Sequence, residues 1–180
     1  MAENKKLQPP LSEKIVRELR AGDEVLISGV IYTARDAAHK RLCELLEAGK
    51  KLPFPLEGAI IYFVGPTPAR PGRVIGAAGP TTSSRMDVFS PKLIANGLNA
   101  MIGKGYRGQM VRDALKEYTA VHLSTIGGAG ALLSKHIVVA EVIAYEELGT
   151  EAVWKLEMVD FPAIVAYDCY GNTVYKELRS

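Results

Sequence analysis

Arg35 sits in the run Ile31-Tyr32-Thr33-Ala34-Arg35-Asp36, directly behind an apolar, β-branched stretch. With Thr33 as a helix cap and Asp36 at the reciprocal capping-box position, Arg35 falls in the first helical turn. Backbone N–H groups there lack intrahelical partners, so with a guanidinium beside them they make an anion site that a carboxylate would fit. Taken alone, Arg35 also reads as an ordinary surface arginine, and His39, one turn later, as a structural or solvated histidine.

The segment Gly79-Pro80-Thr81-Thr82-Ser83-Ser84-Arg85-Met86-Asp87 places four consecutive hydroxyls before an arginine, after what reads as a strand. Loops at strand ends are where α/β proteins build sites. This one offers hydroxyl and backbone donors plus a guanidinium that can grip a carboxylate through two parallel hydrogen bonds. A solvated Ser/Thr turn has the same composition. Lys104, between Gly103 and Gly105, joins a compact positive charge to a backbone that a ligand can approach closely. It is no P-loop lysine, because the upstream glycine and the following Ser/Thr are missing. Gly128-Ala129-Gly130-Ala131-Leu132-Leu133 has Leu133 where a dinucleotide fingerprint needs its third glycine, so residues 127–130 read as a structural turn. Two arginines, a lysine and a hydroxyl cluster suit a small dicarboxylate.

These residues need a scaffold, and the apolar pattern supplies one. Residues 24–32, 59–64, 73–78, 99–102, 121–124 and 137–145 read as strands. Helical spacing marks residues 11–19, the stretch from Thr33 to about Gly49, residues 90–96 behind Ser90-Pro91, and residues 110–118. At the end, residues 163–167 and 173–175 around Tyr170-Gly171-Asn172 read as a hairpin. Strands and helices intermix throughout, which predicts an α/β domain. At 180 residues and 48% apolar content, a single domain 1–180 is expected, with 1–10 as a flexible N-terminal tail.

The charge excludes one class of partner. A net charge of +2, from 22 basic and 20 acidic residues, is far from the concentrated positive field that nucleic acid requires. No apolar run of membrane-spanning length is present, so a soluble, untargeted, cytoplasmic protein is expected. Cys43 and Cys169 lie far apart without ligand spacing and read as reduced, buried thiols. Two cysteines cannot hold an iron–sulfur cluster unaided.

Three strings, Ile31-Tyr32-Thr33-Ala34-Arg35-Asp36-Ala37-Ala38-His39-Lys40, Gly79-Pro80-Thr81-Thr82-Ser83-Ser84-Arg85-Met86-Asp87 and Met101-Ile102-Gly103-Lys104-Gly105, carry a family resemblance. In order and spacing they resemble signature segments of the β subunit, or C-terminal domain, of class I iron–sulfur fumarases and L-tartrate dehydratases. The resemblance runs from about residue 11 to about residue 175. It implies a swivelling β/β/α domain closing over a [4Fe–4S] cluster that a separate α subunit holds, with no metal ligand in this chain. It also implies that Arg35, Arg85 and Lys104 bind the C4 dicarboxylate substrate, and that Thr81 is the base moving the proton at the adjacent carbon. An unassisted threonine hydroxyl is a poor base, so Thr81 would need nearby cations such as Arg85 or Lys104, or an acidic group of the α subunit. The implied activity is reversible hydration of fumarate to (S)-malate, in a hetero-oligomer with the α subunit. The alternatives are dehydration of L-tartrate to oxaloacetate and a non-catalytic module that binds small anions.

Overall fold

The computed structural model describes residues 4–126 and 128–176. In chain order the elements are β1 (Lys5–Leu7), α1 (Glu13–Arg17), β2 (Glu24–Thr33), α2 (Asp36–Glu47), β3 (Ile60–Tyr62) and α3 (Ser90–Ala95). Then follow β4 (Ala100–Gly103), α4 (Gln109–Glu117), β5 (Val121–Ser124), α5 (Gly130–Leu133), β6 (Ile137–Ala144) and β7 (Val153–Tyr167), with short 3₁₀ turns at Ser83–Met86, Ser134–His136 and Glu146–Glu151.

β2, β3, β4 and β5 lie side by side in parallel. β7 runs antiparallel to both β5 and β2, so the sheet closes on itself into a small barrel, with β1 added along β2 and β6 along β7. Closure removes most of the exposed strand edge. Side chains alternate across a strand, and here the alternation separates two cores. Ile60, Tyr62, Ala100, Ile102, Val121 and Leu123 point into the barrel with Ile27, Ile31, Leu156 and Phe161. Ile61, Phe63 and Met101 point outward, where Ala38 and Leu42 of α2, Leu93 of α3, and Val111 and Leu115 of α4 cover them. The α/β organisation expected from the sequence is the one observed.

Several local expectations are corrected. Residues 5–7, expected within a flexible tail, form β1, with Lys5, Lys6 and Leu7 in register with Val25, Leu26 and Ile27. Thr33 is not the cap of α2. It is the last residue of β2, and its hydroxyl accepts from Trp154 N at 3.0 Å and donates to Ala152 O at 3.4 Å. The cap position falls on Arg35, whose side chain makes no capping bond. Residues 73–78 are an irregular excursion instead of a strand, because Thr67 ties its two ends: Thr67 N donates to Ala77 O and Ala77 N to Thr67 Oγ1. Ser90, expected as the cap of α3, is instead its first residue, so the helix begins one position earlier than expected, and its Oγ donates back to Met86 O.

The expected terminal hairpin is part of a much longer element. β7 extends back to Val153, and only one bridge, Tyr167 to Thr173, joins it to the residues beyond the turn. An extra residue near Asp160 bends β7 against β2, and Ser28 Oγ bonds both Asp160 N and its carboxylate there. In the glycine cluster, Gly127 lies outside the described residues. Gly130 opens α5 where a Cβ would stand 2.8 Å from Gly79 N, so only glycine lets these backbones meet.

Candidate functional site at the carboxyl ends of the parallel strands

The carboxyl ends of β2, β3 and β4 share one edge of the sheet, the usual position for a ligand in α/β proteins. Arg35 follows β2 and Lys104 follows β4. The Thr81–Arg85 segment is drawn to the same edge by its backbone: Thr81 N donates to Phe63 O at 2.7 Å, and Thr82 bridges Lys104 with Ser83 N donating to Lys104 O at 2.8 Å. All four expected residues therefore lie at this edge. His39, read as structural or solvated, is fully buried.

Arg35 runs over Gly65, where a Cβ would stand 2.8 Å from its Nη1. Its Nε is buried without a hydrogen-bond partner, although the carboxylates of Asp36 and Glu151 each stand 3.9 Å from the guanidinium. Glu151 Oε1 also accepts from Ala37 N, placing negative charge at the start of α2, where the helix dipole favours it. Arg85 makes a two-point contact with Asp36, Nε to Oδ1 at 3.1 Å and Nη2 to Oδ2 at 2.8 Å. Lys104 has no ion pair among the described residues, and the Thr81 hydroxyl has no described hydrogen bond.

A buried polar network holds this edge in place, and the sequence reading missed it. Arg107 lies under the Thr81–Arg85 segment and uses its whole guanidinium: Nε donates to Asp87 at 2.7 Å, Nη1 to His122 Nδ1 at 3.1 Å and Nη2 to Ser90 Oγ at 2.6 Å. Arginine only donates, so His122 Nδ1 must be unprotonated and Nε2–H must donate to Ser83 Oγ, 3.1 Å away. Burial and then Arg107 push the His122 pKa well down, in agreement with this neutral tautomer. Ser83 in turn fills the space above Gly103, where a Cβ would fall inside its hydroxyl and 2.9 Å from Phe63 Cδ2. Asp87 closes the network with Gly108 N. The one visible sequence signal was an aspartate ending the hydroxyl-rich loop; Arg107 and His122 carried none.

His39 performs a similar task for Arg35. Its Nδ1 stands 2.9 Å from Arg35 O, a carbonyl that can only accept, so Nδ1 carries the proton and fixes the backbone at Arg35. Nε2 is buried without a partner against Phe63 and Phe89. Burial pushes the His39 pKa down to about 4. Cys43 and Cys169 are buried in different cores, and burial raises both thiol pKa values. No group of three or more His, Cys, Asp and Glu side chains among the described residues is arranged to hold a metal.

Fold and site together define an α/β protein that presents basic side chains and a hydroxyl at the carboxyl edge of a parallel sheet. The model of the Fumarase C-terminus family matches residues 2–178, and the chain belongs to that family. A protein of Methanocaldococcus jannaschii with the provisional name L(+)-tartrate dehydratase subunit beta is 41% identical over 175 residues, covering 94% of this chain and 90% of that one. The anaerobic class I fumarate hydratase of Escherichia coli is 40% identical over 157 residues, 84% of this chain. Fumarate hydratase 2 of Leishmania major is 37% identical over 158 residues, 87% of this chain. The chain spans only 28% of each of these two hydratases. By name all three relatives are hydro-lyases.

Gly103→Ala should force Ser83 aside, lowering stability by about 1–3 kcal/mol. Adding Ser83→Ala should recover part of that loss in urea unfolding, and strictly additive losses would contradict the contact. The histidines set an acid limit. A folded pKa of about 4 for His39 against the ordinary 6.5 means that the unfolded chain binds more protons between these values. Stability from this group is therefore full above pH 6.5 and lost as pH falls toward 4, a loss of about 3 kcal/mol. His122 acts in the same direction. His39→Asn should flatten the decline between pH 7 and 4.5 in urea unfolding; an unchanged slope would contradict the assignment.

Proposed function

We propose that this chain is the β subunit of a two-subunit, [4Fe–4S]-dependent hydro-lyase that reversibly hydrates fumarate to (S)-malate. The observation that carries this reading is the meeting of Arg35, Arg85 and Lys104 with the Thr81 hydroxyl at one sheet edge. Three cations suit the two carboxylates of a C4 dicarboxylate, and a hydroxyl beside them suits proton movement on the carbon chain. The residues of this chain do not fit a cluster, so the cluster is assigned to a partner α subunit and no step here runs through it. The name of the archaeal relative, a subunit beta, supports the β-subunit reading. The swivelling β/β/α form follows from the same family reading, and the two cores, one inside the barrel and one under α2, α3 and α4, suit it.

In this reading Arg35, Arg85 and Lys104 bind and orient the carboxylates. Thr81 takes the C3 proton of malate as the C2 hydroxyl leaves, and returns it in the hydration direction. The positive charge of Lys104 and Arg85 at the same edge stabilises the alkoxide form of Thr81, the form that can accept a proton from carbon. Buried thiols suit a reducing cytoplasm, and no helix among the described residues is long and apolar enough to cross a membrane. L-Tartrate dehydration is the second reading, favoured by the name of the archaeal relative.

The test is an anaerobic assay of the complex with its cluster-bearing partner on fumarate, (S)-malate and L-tartrate. In the active complex Thr81→Ala should lower turnover about 10²–10⁴-fold, with KM little changed. Exchange of the malate C3 proton with solvent should fall in parallel. Exchange at the wild-type rate would remove Thr81 from the proton transfer.

A further inference from the structure

Arg85 has two edges with which a guanidinium can grip a carboxylate: Nε with one terminal nitrogen, or the two terminal nitrogens together. Asp36 occupies the first edge, with Nε to Oδ1 at 3.1 Å and Nη2 to Oδ2 at 2.8 Å. Nη1 has no described partner, and the Arg85 side chain is 49% exposed. Asp36 is the first residue of α2, so its backbone is held by the helix, while Arg85 stands on the short 3₁₀ turn Ser83–Met86. Oδ2 of Asp36 also stands 3.9 Å from Arg35 Nη2, so one carboxylate oxygen lies between the two arginines.

We infer that Asp36 is a positioning residue for the dicarboxylate site: it holds the Nε edge of Arg85 so that the Nη1–Nη2 edge is presented to the substrate carboxylate. This rests on the reading under Proposed function and deepens it by assigning each arginine edge a task. An arginine side chain is rich in rotamers, and a site that leaves it loose requires the substrate to order it on binding. Asp36 does that ordering before substrate arrives. Its charge repels an incoming anion only weakly, since Arg85 neutralises it and the pair is screened by solvent. Displacing Asp36 would instead leave a carboxylate without its partner beside a second carboxylate. Asp36 therefore stays in place when the site fills.

The test has two arms. In the complex with the cluster-bearing partner, Asp36→Asn should raise KM for the dicarboxylate about tenfold while kcat changes less than about threefold, and Asp36→Glu should recover part of the loss. A purely structural role in α2 would lower thermal stability and leave KM alone. An unchanged or lower KM overturns the inference, the lower value identifying Asp36 as a competitor of substrate. In the second arm, the full chain is labelled with ¹⁵N and titrated with succinate. The Arg85 Nε–H resonance should keep its shift and its slow solvent exchange while other site resonances move, and Asp36→Asn should abolish that protection. Movement of the Nε–H resonance to a new position overturns the inference. A wild-type complex inactive on fumarate, malate and tartrate would sink the proposed function, and the resonance arm would still decide the role of Asp36.

Discussion

The geometry of this edge depends on one buried cation. Arg107 has no exposed side-chain surface, and burial lowers its pKa while Asp87 opposes that shift. Four hydrogen bonds tie its guanidinium to groups on three separate stretches of chain: Asp87 and Ser90 at the start of α3, His122 on β5, and Met101 on β4. A buried arginine is costly unless its donors are satisfied, and removing a partner from such a pair typically costs about 3–5 kcal/mol. The price of burial is therefore returned as rigidity. The loop bearing Thr81 and Arg85 rests on this network through Ser83, and Gly103 leaves the space that Ser83 fills. Lys104 follows directly.

Charge is arranged differently on the two sides of that loop. Beneath it, Arg107, Asp87, His122, Ser83 and Ser90 partner one another, and His122 is held neutral. Above it, Lys104 has no described counter-ion, and Arg35 Nε lacks a hydrogen bond although Asp36 and Glu151 each stand 3.9 Å from its guanidinium. Arg85 alone of the three is hydrogen-bonded to a carboxylate, and on one edge only. A satisfied base under an incompletely satisfied surface is what an anion site requires, since the unfilled donors gain most when a carboxylate arrives.

Much of this was legible in the sequence, and the failures share a cause. The strand run Ile60–Tyr62 was readable because apolar residues fill a core on both faces, and Val121–Ser124 because Val121 and Leu123 alternate into the barrel. The four proposed site residues were singled out by their clusters of hydroxyl, glycine and basic residues together with the family resemblance, and the fold brings them to one edge. Thr33 was misread because a threonine before a helix suits a cap, whereas its hydroxyl is claimed by β7, over a hundred residues away. Residues 73–78 look apolar enough for a strand, but Thr67 closes them into a loop. Arg107 and His122 were invisible for the same reason. Nothing local distinguishes a buried, neutral histidine or a buried arginine from exposed ones; only the pairing of β4 with β5 brings these two together.

The central claim is that this edge is one half of a catalytic site whose other half belongs to a cluster-bearing partner. Anaerobic titration of the purified chain into that partner, with dehydratase activity followed at each addition, tests it most directly. The account predicts no activity from either component alone and a linear rise that saturates at one chain per partner. Full activity in the partner before any addition, or in this chain without it, would contradict the account.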